Sequence, residues 1–193
     1  MRSTMRMLFA LLMQAHVPYT LGASAAIVAP GHPRGVTYSD ERILVRVIPR
    51  SPAQMAAFYE ARGFPPRAIA ESRRYCFMTV HVDNLSDDII WLEPRTWRLT
   101  AAGRDLVRMD EQYWHTRWQE LELGRANLST FGWTLLPEVR DLHPGEPAGG
   151  NIVLPLTPDA VTVTMHFRTG AHGTGKEIEI SFPDLQCPRE AVK

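Results

Sequence analysis

The stretch Tyr75-Cys76-Phe77-Met78-Thr79-Val80-His81-Val82 decides the fold. Cys76, Met78, Val80 and Val82 fall on one side of an extended chain and Thr79 and His81 on the other, the period of two that marks a half-buried strand. Such a strand must bury its apolar face against a second layer, so partners with the same period should flank it. Downstream, Asp83-Asn84-Leu85-Ser86-Asp87-Asp88 is rich in side chains that close turns on their own backbone. Two strands follow it, Ile89-Ile90-Trp91-Leu92 and Thr96-Trp97-Arg98-Leu99. Upstream, residues 42–48 alternate as a first strand that Pro49 ends. The C-terminal third returns to strands over 130–136, 151–156, 161–167 and 176–182. Val161, Val163, Met165 and Phe167 point one way there, Thr162, Thr164 and His166 the other, and Ile178, Ile180 and Phe182 repeat the apolar side. His143-Pro144-Gly145-Glu146 reads as a turn and residues 170–175 as a hairpin loop.

Helices punctuate this pattern. Ser51 stands as an N-cap, Pro52 occupies the first helical position, Gln54 follows the cap by three residues and Gly63 marks the exit. Met55, Phe58 and Tyr59 share the apolar face of that helix. A second short helix begins at Pro65 or Pro66 and ends near Arg73, giving a helical hairpin before the main sheet. Gly103 permits a turn into residues 104–108, after which Asp110 caps a helix carrying Tyr113, Trp114, Trp118 and Leu121 on one face. These additions are predicted to cover a sheet edge or the open end of the fold.

About seven to nine short strands at such spacing describe a mainly β chain, a two-sheet sandwich with a short helical hairpin and one inserted helix. The order of motifs has a counterpart. Asp83-Asn84-Leu85-Ser86-Asp87, Ile89-Ile90-Trp91-Leu92, and Trp97-Arg98-Leu99 before Ala102-Gly103 are followed by Leu142-His143-Pro144-Gly145-Glu146, Gly149 to Pro155, and Val161 to Met165. Taken together over about residues 75–182, apart from the helix near 113–121, they resemble secreted bacterial immunoglobulin-like sandwich domains of the telokin-like type. The resemblance implies an immunoglobulin-like fold and a role in adhesion, scaffolding or ligand presentation, and it carries over no active-site residue.

The N-terminal segment combines Arg2 and Arg6, the apolar run Met7 to Met13, a breaker at Pro18 and Ala23-Ser24-Ala25, which reads as a secretory signal peptide cut near Ala25. Gln14 and His16 interrupt the run well short of the roughly 20 apolar residues that cross a bilayer. The first cysteine is Cys76, so no cysteine stands at the cleavage point to anchor a lipid. The expected organisation is a signal peptide over 1–25, an extended leader over 26–40, one domain over 41–187 and a tail over 188–193, in a periplasmic or secreted protein with no transmembrane segment in its mature chain. The 193 residues are 45% hydrophobic, enough for a sizeable core. Twenty-one Lys and Arg balance 21 Asp and Glu, so bulk charge attracts no nucleic acid. Cys76 and Cys187 form an even pair that an oxidising compartment would bridge. Two independent thiols, Cys76 serving as a small apolar residue, are the other reading.

No complete catalytic motif is present, and no residue is assigned a catalytic role or a cofactor. A Gly-x-Ser-x-Gly elbow is lacking, and Gly170 to Lys176 lies between strands without the helix a phosphate loop requires. His81 and His166, on the polar faces of strands, are candidate ligands for copper or zinc. Glu111 and His115, four apart on one helix, are a second candidate pair for metal or acid/base work. Trp91, Trp97, Trp114, Trp118 and Trp133 cluster in sequence and form a partner platform if exposed, or a core if not. The expectation is therefore an exported, non-catalytic binding or assembly module that engages another exported or envelope protein. A periplasmic metal-binding protein or metal-dependent enzyme is the alternative.

Overall fold

A computed structural model describes residues 35–189; the signal-peptide reading lies outside them. In chain order the elements are β1 (Val36–Ser39), β2 (Ile43–Arg50), α1 (Pro52–Glu60), α2 (Pro66–Ser72), β3 (Tyr75–Asn84) and β4 (Ile90–Leu92). A 3₁₀ turn (Pro94–Thr96) leads to β5 (Arg98–Ala101), β6 (Arg104–Asp105), α3 (Glu111–Glu120) and α4 (Arg125–Gly132). The chain closes with β7 (Arg140–Leu142), β8 (Pro147–Pro155), β9 (Val161–Thr169) and β10 (Ile178–Leu185). The strands form two antiparallel sheets, one ordered β1-β2-β3-β8 and the other β6-β5-β9-β4-β7, with β10 on the remaining edge of β9.

The alternation in β3 places the two sheets face to face. Val45 and Val47 of β2, Met78, Val80 and Val82 of β3, and Ile152 and Leu154 of β8 meet Leu99, Val163, Met165, Phe167, Ile180 and Phe182 in one buried core. At about 1.5–3 kcal/mol for each large apolar side chain removed from water, this layer dominates the folding energy. Cys76 lies in the same core and is disulfide-bonded to Cys187, with Cα atoms 5.5 Å apart and 111 residues between them. The bridge ties the segment after β10 to the central strand of the other sheet.

A third layer packs on the outside of the four-stranded sheet. Tyr75 and Phe77 of β3 and Val153 of β8 point away from the sandwich core into a second cluster, made with Met55, Tyr59, Phe64, Trp114, Trp118 and Phe131 of the helical region. The rings of Trp114 and Trp118 stack at 4.9 Å between centroids, and both lie within 5 Å of Phe131. The helices therefore cover a sheet face rather than an edge or an open end, because the outward side of β3 is itself aromatic at its start.

Local chemistry builds this layer as expected in two places. In α1 the Ser51 hydroxyl accepts from the Gln54 N–H at 3.2 Å while the Gln54 side chain accepts from the Ser51 N–H at 2.9 Å, a complete capping box. In α3 the Asp110 carboxylate accepts from the Tyr113 N–H at 2.8 Å. Elsewhere the structure departs from the sequence reading. Residues 130–136 are not a strand: α4 occupies 125–132, so two helices are inserted between sheet strands, not one. Leu128 and Phe131 recur at a helical spacing that buries Phe131 under Trp114 and Trp118. Part of the segment read as a leader, Val36–Ser39, pairs with β2 as an edge strand. Pro49 does not end β2, since β1 reaches only Val47 and leaves that edge open where a proline has no N–H to donate. The strands β4 and β5 both pair with β9 and are separated by the 3₁₀ turn.

Candidate functional site

The helical layer stops halfway along β3. Beyond Phe77 the outward-facing residues are Thr79 and His81, and opposite them in the register stand Asn151 and Gly149 of β8. Small and polar side chains there leave a groove of about 590 Å³ between the sheet and α1, lined by Arg50, Gln54, Met55 and Phe58 on one side and Trp133 and Thr134 on the other. A smaller hollow of about 330 Å³ adjoins it, sharing Phe58, Trp133 and Thr134 and adding Arg62. Trp133, just past the end of α4, stands between the two and is 88% exposed.

The groove's floor is a hydrogen-bonded chain. Arg50 Nε donates to Thr79 Oγ1 at 2.8 Å, and Thr79 Oγ1 donates to Asn151 Oδ1 at 2.8 Å. Asn151 also joins the 134–136 segment to the edge of β8, its N–H donating to the Thr134 carbonyl at 2.8 Å and its own carbonyl accepting from the Leu136 N–H at 3.0 Å. That approach is close enough to demand glycine at 150, where a Cβ would lie 2.5 Å from the Leu136 nitrogen. Thr134 Oγ1 spends its proton on the Phe131 carbonyl at 2.7 Å, so Tyr59 is the donor in its 3.0 Å bond to Thr134. Burial pushes the Tyr59 phenol upward and keeps it a donor. The wall that carries Trp133 is thereby held from two directions, by β8 and by α1.

The charge lining is one-sided. Arg50 and His81 border the main groove and Arg62 the smaller hollow, and neither is lined by a carboxylate. His81 Nε2 lies 3.0 Å from Asp83 Oδ1, outside the lining. The Arg62 guanidinium sits 3.4 Å above the Phe58 ring and donates to the Phe58 carbonyl at 2.9 Å, a stacked arrangement that fixes its plane.

No family model matches this chain, and no curated protein does. Among solved structures, one from Bacillus subtilis described as a "putative lipoprotein (ycdA)" aligns at 9% identity with a TM-score of 0.43, over 77% of this chain and 38% of that one. The chain thus spans well under half the length of that protein.

The tryptophans that adjoin in sequence do not adjoin on the surface. Trp114 and Trp118 are buried under the helices, and Trp97 is buried against Phe167 with its N–H donating to the His166 carbonyl at 3.3 Å. Trp91 is half-buried on the other sheet, its N–H donating to the Gly170 carbonyl at 2.8 Å. The five therefore form no common surface: of them Trp133 is the one largely exposed, and Arg50, Met55, Phe58 and Arg62 line the hollows beside it, the two arginines being residues that the sequence reading did not single out.

The metal candidates are likewise separated. His81 points outward from the four-stranded sheet and His166 outward from the six-stranded one, with the whole core between them, so they cannot share an ion. His166 Nδ1 instead lies 2.6 Å from Glu177 Oε1. Glu111 and His115 are exposed and border a hollow of about 430 Å³ that also holds Arg108, whose guanidinium is bidentate on Glu138. Among the described residues no three His, Cys, Asp or Glu side chains converge to hold a metal ion.

One polar knot lies inside the helical layer. The buried Glu71 carboxylate accepts from Arg117 Nε at 2.8 Å and Nη2 at 2.9 Å, from the Tyr75 hydroxyl at 3.0 Å and from Arg74 at 3.2 Å. The Arg117 hydrogen bonds hold Glu71 below its ordinary carboxylate range, and the same bonds hold the Arg117 guanidinium upward. Burial, helped by Tyr113 at 2.5 Å and by Glu71, raises the Tyr75 phenol. With every strong acceptor and donor already paired, the knot fastens α2 to α3 and β3.

Proposed function

We propose that this protein is an exported binding module that engages another envelope protein through the groove at Trp133. The observation that carries the reading is Trp133 itself, a large aromatic side chain 88% exposed at the lip of a groove whose walls are held by Asn151 and Thr134. Leaving an indole in water forfeits about 1.5–3 kcal/mol of burial, which a partner would recover. Tryptophan and arginine are the residues that most often dominate interface energy, and here Trp133 stands with Arg50 and Arg62 around Met55 and Phe58. The Cys76–Cys187 bridge supports an oxidising compartment. Two antiparallel sheets packed over one core support the immunoglobulin-like reading of the strand motifs.

The test compares the full chain with Trp133→Ala as baits in an envelope extract. A single protein held by the first and lost from the second, at equal melting temperature, is the expected result. Equal retention by both refutes the groove as the contact site.

A further inference from the structure

We infer that the groove takes an acidic segment of extended polypeptide, in which an apolar side chain sits between two carboxylates; this rests on the reading of the Trp133 groove as the partner site. The first ground is charge. The chain as a whole is balanced, with 21 basic and 21 acidic residues, yet the two compartments around Trp133 hold Arg50, Arg62 and His81 and no carboxylate. Several arginines among the described residues are paired with a carboxylate, as in Arg42 with Asp40, Arg98 with Asp105 and Arg117 with Glu71. Arg50 and Arg62 are held instead by a hydroxyl and a carbonyl, contacts that orient each guanidinium and leave its charge uncompensated. A bidentate carboxylate is the ligand that matches that fork.

Placement gives the second ground. Arg50 and Arg62 flank α1 in sequence, and their guanidiniums are held apart, one at Thr79 on the floor of the main groove and the other over the Phe58 ring beside the smaller hollow, so each calls for its own carboxylate. Met55, Phe58 and Trp133 line the same groove and offer dispersion contacts to an apolar side chain. The apolar part of the ligand belongs there.

Strand addition is not the mode of capture at this place. The edge of β8 next to the groove is already paired with the 134–136 segment through Asn151, so a bound peptide is read by side chains.

A peptide display library selected on the full chain tests this. The expected outcome is enrichment of sequences with two Asp or Glu residues flanking an apolar residue, bound more weakly as salt rises. The affinity of a selected peptide should fall about tenfold for each guanidinium removed in Arg50→Gln and Arg62→Gln, at unchanged melting temperature; tenfold corresponds to about 1.4 kcal/mol. Basic or uncharged selected sequences, no enrichment at all, or retention of polygalacturonate in place of peptides each overturn the inference. If those outcomes appear while Trp133→Ala still loses the envelope protein, the acidic-segment inference falls and the partner reading stands. If Trp133→Ala loses nothing, both fall.

Discussion

Reducing the Cys76–Cys187 bridge should cost this fold several kcal/mol without dismantling it. The bridge closes a loop with 111 residues of sequence separation. In the chain-entropy treatment, such a loop removes about 16 cal/mol/K from the unfolded ensemble, or about 4.8 kcal/mol at 25 °C. Native-state relaxation works against that figure, because Leu185 and Cys187 are buried where the segment leaves β10 while Pro183, Asp184 and Gln186 between and before them are exposed. A loss of about 3–5 kcal/mol is expected, which in a chain of this size lowers Tm by about 6–20 °C. Urea unfolding of the oxidised protein and of Cys76→Ala/Cys187→Ala measures the difference, the double variant separating the bridge from effects of the reductant. Hydrogen exchange should rise chiefly after Phe182, while β2, β3 and β9 keep their protection, since the core between the sheets does not depend on the link. A double variant within about 0.5 kcal/mol of the native chain would refute the entropic argument. One that loses protection throughout both sheets would refute the claim that the core stands without the bridge.

Arg117→Leu should destabilise by about 3 kcal/mol at neutral pH, because the Glu71 carboxylate is left buried with its main partner gone; chemical denaturation measures this. Glu71 is held below its unfolded value of about 4.3, so its contribution is complete above that pH and is lost as pH falls through the lower folded value. The gap between Arg117→Leu and the native chain should therefore narrow in strong acid. Gly150→Ala should cost at least about 1–3 kcal/mol by driving a methyl into the Leu135 carbonyl and Leu136 nitrogen, whereas Gly149→Ala, which meets only His81 Nδ1 at 3.5 Å and the Val80 carbonyl at 3.6 Å, should stay within about 0.5 kcal/mol. Trp118→Ala should cost about 3–5 kcal/mol and Trp133→Ala less than about 0.5 kcal/mol, as thermal unfolding of the two variants would show.

What could be read in the chain depended on whether the signal was local. The Ser51 capping box and the Asp110 cap bind groups within three residues, so both helix starts were legible in the sequence. The inward side of β3 was legible for a similar reason, since alternation needs no partner to be recognised. The 125–132 helix was missed because its N-cap is Gly124, which has no side chain to announce it, and because Thr130 to Leu136 mixes apolar and polar residues in a strand-like way. Alternation also tells inside from outside without telling which sheet a strand joins. That is why His81 and His166 looked like possible neighbours although the core separates them. Five tryptophans close in sequence carried no information on burial. Trp114 and Trp118 sit four apart on one helical face and go inward together, while Trp133 sits just past a helix end that the sequence did not mark. The groove itself comes from where the helical layer stops on β3, a tertiary fact that no window of sequence contains.

If partners meet this protein at Trp133, as proposed, site-specific photo-crosslinking in the envelope captures them there. A photoreactive phenylalanine analogue replaces Trp133 in one chain and Val107, 74% exposed outside the groove, in another. A discrete crosslinked partner from position 133 and none from position 107 is the expected result. The same product from both positions, or a product from 107 alone, would contradict it.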